Sequence, residues 1–219
     1  MKLMDRILEL LFPPRCILCR KVLEKEEMDL CRLCRVETPG YPVGKRKPQF
    51  LDSFAAVWYY EKNPRKSILR YKFRGMRHYA PSYGRILAMK ITQVYGEDFD
   101  CLTWVPTSWL RKVSRGYDQA ELLAKAAARE LGCSAVPALK KVRHNRRQSR
   151  IQGEAQRRAN VIGAYRVTEP ELVSGSKVLL VDDVLTTGAT AGECARMLRM
   201  AGAKEVHCAA LAASRKFLK

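Results

Sequence analysis

The chain reads as an α/β protein: a mostly parallel sheet flanked by helices, with a small N-terminal four-cysteine module. Three observations carry this reading. Strand-like and helix-like segments alternate from Phe54 to the end. Val178-Leu179-Leu180-Val181 is an unbroken apolar run, the pattern of a strand buried on both faces in a parallel sheet. The spacing Cys16-x-x-Cys19 recurs as Cys31-x-x-Cys34. The expected division is residues 1–40 for an N-terminal helix and the cysteine module, 41–50 for a linker and 51–219 for the α/β domain.

The elements follow in order. Leu3, Ile7, Leu10 and Leu11 fall at helical spacing, and Asp5, Arg6 and Glu9 interrupt any signal-peptide core. A short amphipathic helix ending at Pro13-Pro14 is expected. The four cysteines can supply a tetrahedral thiolate shell for a structural zinc ion. Two disulfides, a redox pair or an iron–sulfur cluster are the alternatives, and stable disulfides are disfavoured in a cytosolic chain. Gly40 to Pro48 is rich in Gly, Pro and charge, as a linker is. Phe54 to Tyr60 reads as a strand. Asn63-Pro64 opens a helix that ends near Gly75, and Ser82 to Tyr95 is a second helix. Leu102 to Val105 is a short strand stopped by Pro106. Asp118 can cap the Ala- and Leu-rich helix that Gly132 ends. Lys177 to Asp182 is a strand, Thr190 to Ala201 a helix closed by Gly202, and Val206 to Ala212 the last strand. Cys101, Cys133, Cys194 and Cys208 stand singly and read as small core residues.

The chain has 219 residues, with 41 basic and 22 acidic side chains giving a formal charge of +19. Such a balance favours polyanions: nucleic acid, an anionic membrane or a diphosphate. No apolar run approaches the length of a membrane span, and with no targeting signal the expected compartment is the cytoplasm.

Chemistry concentrates after Val181. Asp182 and Asp183 are adjacent carboxylates at the expected C-terminal end of a parallel strand, where α/β sheets bind ligands. Thr186-Thr187-Gly188-Ala189-Thr190 follows, a hydroxyl- and glycine-rich turn running into a helix. Its backbone N–H groups suit a phosphate. The acids repel phosphate and suit sugar hydroxyls or a metal. Together these parts describe a site for a phosphorylated sugar. A Walker-type loop is excluded, because Gly40-Tyr-Pro-Val-Gly44-Lys45-Arg46 is one residue short and lacks the hydroxyl. No G-x-G-x-x-G occurs to support a dinucleotide fold. His78, His144 and His207 are isolated, and no general base stands out.

The run from Val178 to Thr190 resembles the phosphoribosyl pyrophosphate (PRPP) signature of type I phosphoribosyltransferases. The resemblance implies that Asp182 and Asp183 contact the ribose hydroxyls and are the catalytic residues, orienting the ribose and favouring positive charge nearby. It implies that Thr186, Thr187, Gly188, Ala189 and Thr190 cradle the 5′-phosphate, with Mg²⁺ bound alongside PRPP. Pro106, Thr107, Ser108, Arg111 and Lys112 stand where that family places its pyrophosphate loop.

The whole chain is similar to the ComF family. The four cysteines, Val105-Pro106, Arg115-Gly116-Tyr117-Asp118-Gln119-Ala120, then Arg143, Gln148 and Arg157 ahead of Asn160-Val161, and finally the acidic pair occur in that family's order. Asp118 stands where Asn is usual, and Thr107-Ser108 replaces an apolar-Pro pair. Lys140 to Asn160 holds Arg143, Arg146, Arg147, Gln148 and Arg150 and has two readings. It is either a mobile loop that closes over PRPP, or a basic segment for a nucleic-acid backbone. The resemblance implies a PRPP-binding protein linked to natural competence. Single-stranded DNA and a competence helicase are then expected partners. A non-catalytic PRPP-fold protein is the alternative.

Overall fold

The computed structural model describes residues 12–44, 46–143 and 153–218. The expected N-terminal helix over residues 1–11, His144, and Arg146, Arg147, Gln148 and Arg150 lie outside them.

Four parallel strands form the central sheet: β1 (Ser53–Tyr59), β2 (Cys101–Trp104), β5 (Lys177–Leu185) and β6 (Glu205–Ala213). Their order across the sheet is β1-β6-β5-β2. Val178 to Val181 are fully buried, as a doubly covered strand requires. β5 runs three residues beyond the expected Asp182, because its pairing with β6 continues through Val184 and Leu185. Beyond β2 the chain adds a single parallel bridge, Leu102 to Ala135.

One face of the sheet carries Leu179, Val181, Ala209 and Leu211 against α2 (Lys62–Phe73), α3 (Ala80–Tyr95) and α5 (Gln119–Glu130). The other carries Val178, Leu180, Cys208 and Ala210 against α8 (Ala189–Met200) and a small antiparallel pair. That pair is β3 (Leu139–Lys141) with β4 (Tyr165–Val167). Asp118 caps α5 as expected, accepting from the N–H groups of Ala120 and Glu121. Four short helices had no periodic signal: α1 (Arg32–Glu37), α4 (Trp109–Arg115), α6 (Glu154–Val161) and α7 (Pro170–Val173).

The stretch read as a linker packs along the sheet rather than hanging free. Tyr41 is buried and its hydroxyl donates to the Ser214 carbonyl at 2.9 Å, while the Arg46 N–H reaches Phe217. Cys101, Cys194 and Cys208 are core residues, but Cys133 is exposed. It follows Gly132, whose positive φ turns the chain outward after α5. Among the described residues no helix is long and apolar enough to cross a membrane.

Candidate functional site

Cys16, Cys19, Cys31 and Cys34 bring their four sulfurs within 4.8 Å of one another. A tetrahedral zinc shell with Zn–S near 2.3 Å needs sulfurs about 3.8 Å apart, and Cys19 Sγ and Cys31 Sγ stand at 3.6 Å. The thiols therefore fit a structural zinc ion. The two repeats fold differently. Cys16 and Cys19 flank a tight turn in which the Arg20 N–H donates to the Cys16 carbonyl, with Arg20 at positive φ. Cys31 instead caps α1, which carries Cys34. Burial disfavours the Cys16 thiolate, yet N–H groups of Cys19, Cys31 and Leu18 outweigh it and hold the thiol below its usual value.

This module is built onto the α/β core. Arg70 of α2 donates to the carbonyls of Ile17 (2.8 Å) and Leu18 (2.7 Å). Ser67 donates to the Ile17 carbonyl. Arg85 of α3 grips Asp29 with two bonds of 2.9 and 2.5 Å.

The acidic pair lies near the C-terminal edge of the sheet, on its inner strand β5. Successive strand residues point to opposite faces, so the two carboxylates separate. Asp183 meets α2, and its Oδ1 lies 2.8 Å from Lys72 Nζ. Asp182 faces the other layer, in the electrostatic company of Cys194, Cys208 and Tyr165. Its Oδ1 accepts from the Asp183 N–H at 2.8 Å. Burial first, and then the Asp183 charge, push the Asp182 carboxyl well above the usual carboxylate range.

The expected phosphate loop follows β5. The Ser214 hydroxyl donates to the Thr186 carbonyl (2.7 Å) and Lys216 Nζ to the Thr187 carbonyl (2.8 Å). Both carbonyls are thus turned toward protein partners, an arrangement that suits an anion-binding loop. Gly188 has φ +73 and precedes α8, whose first turn holds Ala189 and Thr190. A cleft of about 280 Å³ runs along the outer side of this loop, between Phe50, Arg158, Gly188 and Arg196.

On the neighbouring strand the Val105 N–H donates to the Val181 carbonyl at 2.9 Å, which starts the Pro106 loop beside Asp182. Asp118 Oδ2 accepts from the Thr107 N–H at 2.7 Å, so the Asp that replaces the usual Asn also braces this loop. Ser108 precedes α4. Arg111 lies within electrostatic reach of Lys141 and Tyr165, at the site. Lys112 turns away to Glu121, 2.7 Å distant, and its own half-exposed ammonium makes this a weak pair. Arg143 donates to the Ile162 carbonyl at 2.8 Å and so closes the C-terminal end of α6.

Two site residues escaped the reading of the sequence. Lys72 sits four residues after buried Ile68, on the inner stripe of α2. Lys141, noted only as part of a basic stretch, lies on β3 with Nζ 3.1 Å from the Tyr165 hydroxyl. Burial first, then Arg111, bring its ammonium down to about 8. His207 bonds Ser53 and Glu205 at the opposite end of the strands, away from this edge.

Comparison with known proteins matches these parts. The phosphoribosyl transferase domain model matches residues 118–217, and the double zinc ribbon domain model matches residues 7–44. The chain therefore couples a phosphoribosyltransferase-type parallel sheet to a four-cysteine ribbon. Over most of its length it is similar to competence and DNA utilization proteins. It is 27% identical over 226 residues to the competence protein F of Haemophilus influenzae, covering 90% of this chain and 96% of that protein. It is 27% identical over 192 residues to the competence protein ComFC of Bacillus subtilis, covering 84% and 77%. The DNA utilization protein YhgH of Salmonella typhi matches at 27% over 200 residues, covering 87% and 86%. Among solved structures, a glutamine PRPP amidotransferase from B. subtilis aligns with 60% of this chain at 27% identity and a TM-score of 0.42, and the chain spans about a quarter of that enzyme's length.

Proposed function

We propose that this chain binds PRPP across the C-terminal edge of its sheet and serves the handling of DNA taken up by the cell. The observation that carries the reading is a convergence on one edge. Asp182 and Asp183 near the end of β5, the Thr186–Thr190 loop ahead of α8, and the Pro106 loop after β2 all meet there.

The 5′-phosphate takes the N–H groups of the Thr186–Thr190 loop and the first turn of α8. Asp182 and Asp183 accept from the ribose hydroxyls. Arg111 and Lys141 lie on the diphosphate side and balance its charge. Among the described residues no third His, Cys, Asp or Glu joins the acidic pair into a metal cluster. Magnesium would arrive here as a ligand-borne ion, and Asp182 is the residue that would help to hold it. When bound, it neutralises charge on the departing diphosphate. In ribosyl transfer the C1–O bond breaks and the ring becomes cationic, and the two carboxylates stabilise that charge. Zinc in the ribbon is structural. The cytoplasm, which keeps four thiols reduced, is the setting that suits it.

Calorimetry of PRPP with Mg²⁺ tests the binding. A clear heat is expected for the wild type, falling at least tenfold in affinity for Asp182→Asn. No heat with the wild type would refute the reading. A nucleobase panel with diphosphate release as the readout then separates a transferase from a non-catalytic PRPP-binding protein.

A second reading, direct contact with single-stranded DNA, is favoured by the surface of α4. Trp109 is 72% exposed, and Arg115 of the same helix lies over the exposed Phe73 ring at 4.8 Å. Aromatic rings beside cations form a stacking platform for unpaired bases. Trp109→Ala should weaken oligonucleotide binding by about 1–3 kcal/mol, and affinity should fall steeply with salt. Salt-independent binding would reject this surface. A helicase partner would be sought by pull-down with the same variant.

A further inference from the structure

Helix α2 delivers a cation to the acidic pair. Its buried stripe is Pro64, Ser67, Ile68 and Tyr71, and Lys72 extends that stripe at the last turn. Lys72 Nζ lies 2.8 Å from Asp183 Oδ1, with the two side chains only 20% and 12% exposed. The Asp182 carboxylate and Tyr60 lie within electrostatic reach of the ammonium. Burial is the largest single influence and favours the neutral amine, but the Asp183 charge and hydrogen bond, joined by the Asp182 charge, together outweigh it and keep the proton on.

The position of this lysine is clamped from both sides. The Tyr71 hydroxyl donates to the Gln119 carbonyl at 2.9 Å, and the Tyr117 hydroxyl donates to the Tyr71 carbonyl. Ser67, one turn earlier, holds the Ile17 carbonyl and shares a 2.6 Å bond with the Tyr83 hydroxyl. Lys72 is thereby tied to the zinc ribbon on one side and to the start of α5 on the other. A surface lysine would lose its rotamer freedom for little return. Here the hydrogen bonds of its neighbours have already set its helix in place.

We propose that Lys72 is the resident cation of the acidic pair. It occupies the place beside Asp183 that a divalent ion would otherwise take, so the free protein recruits no divalent ion there and Mg²⁺ arrives only as part of its ligand. Lys72 is a positioning residue: it engages Oδ1 of Asp183 and leaves Oδ2 to accept from a sugar hydroxyl. This rests on the reading of the edge as a PRPP site, but the first test below does not.

Manganese uptake by the zinc-loaded protein, followed by electron paramagnetic resonance without PRPP, reads the cation site directly. The wild type and Lys72→Arg should bind Mn²⁺ at least tenfold more weakly than Lys72→Met, in which Asp183 is unpaired. The double variant Lys72→Met/Asp183→Asn should lose the gained site. Wild-type uptake of about one Mn²⁺ that Asp183→Asn abolishes would overturn the proposal, and so would a folded Lys72→Met that gains none. The wild-type measurement stands even if Lys72→Met fails to fold. PRPP calorimetry is the second arm. Wild-type affinity should track the Mg–PRPP complex alone, whereas Lys72→Met should need excess Mg²⁺ to recover. Failure of the wild type to bind PRPP at all would overturn the ligand assignment while leaving the manganese result intact.

Discussion

Asp182 is a carboxylate held among Cys194, Cys208 and Tyr165, with a second carboxylate as its chain neighbour. Its folded-state proton affinity is raised above the unfolded value of about 3.9. A raised acid favours folding only while protonated. That contribution is present below the unfolded value and is lost as pH rises through the folded one. Asp182→Asn should therefore stabilise the chain at pH 8 by about 0.5–2 kcal/mol, the range for relief of a costly functional residue. The gain should shrink as pH falls toward 4. Urea melts at several pH values check this, and a gain that grows on acidification would contradict it. The acidic pair and its loop were legible in the sequence because they are contiguous. Lys72 and Lys141 were not, since a lysine at a helix end or in a basic stretch looks like any solvated lysine. Only packing shows that one lies against Asp183 and the other against Tyr165.

At the scale of elements, the strongest local demand falls on the turn from β5 into α8. Gly188 lies at φ +73, and a Cβ there would come within 2.5 Å of Pro48. Gly188→Ala should cost about 1–3 kcal/mol from the strained backbone, with more from the overlap, and should weaken PRPP binding. Thermal melts with calorimetry check both, and an unaffected variant would show that the turn tolerates a side chain. The same contact explains why the stretch around residues 41–50 defied its composition. Gly, Pro and charge mark the absence of periodic structure, not the absence of packing, and Pro48 is pressed onto the turn at Gly188. Strand β5 exceeded its expected end for a related reason. The two aspartates broke the apolar pattern, but β6 continued to offer backbone partners through Ala213.

At the scale of the whole molecule, the ribbon and the α/β domain share one core. Cys16, Ile17, Leu18, Cys31 and Cys34 belong to the same buried cluster as Ile68, Tyr83, Leu87 and Val181. Loss of zinc should therefore be felt through α2 and α3. Chelation should lower the midpoint of a single cooperative unfolding transition for the entire chain, not release an early ribbon-only phase. Calorimetric scans with and without chelator decide this. An α/β transition unmoved by chelation would show the ribbon to be an independent appendage.

Much of this protein is written in contiguous residues. Paired cysteines, apolar runs, a capping Asp118 and the acidic pair with its loop are local patterns, and local patterns survive in one dimension because each is set by neighbours a few positions away. They were enough for the fold class, the four-cysteine zinc module and the place of the acidic pair at the strand edge. Tertiary structure alone decided which charges face one another: Lys72 on Asp183, Lys141 near Asp182 and Arg111, and Lys112 drawn off to Glu121. Such pairings join residues up to about a hundred positions apart in the chain. Their energies depend on distance and burial, which no sequence spacing encodes.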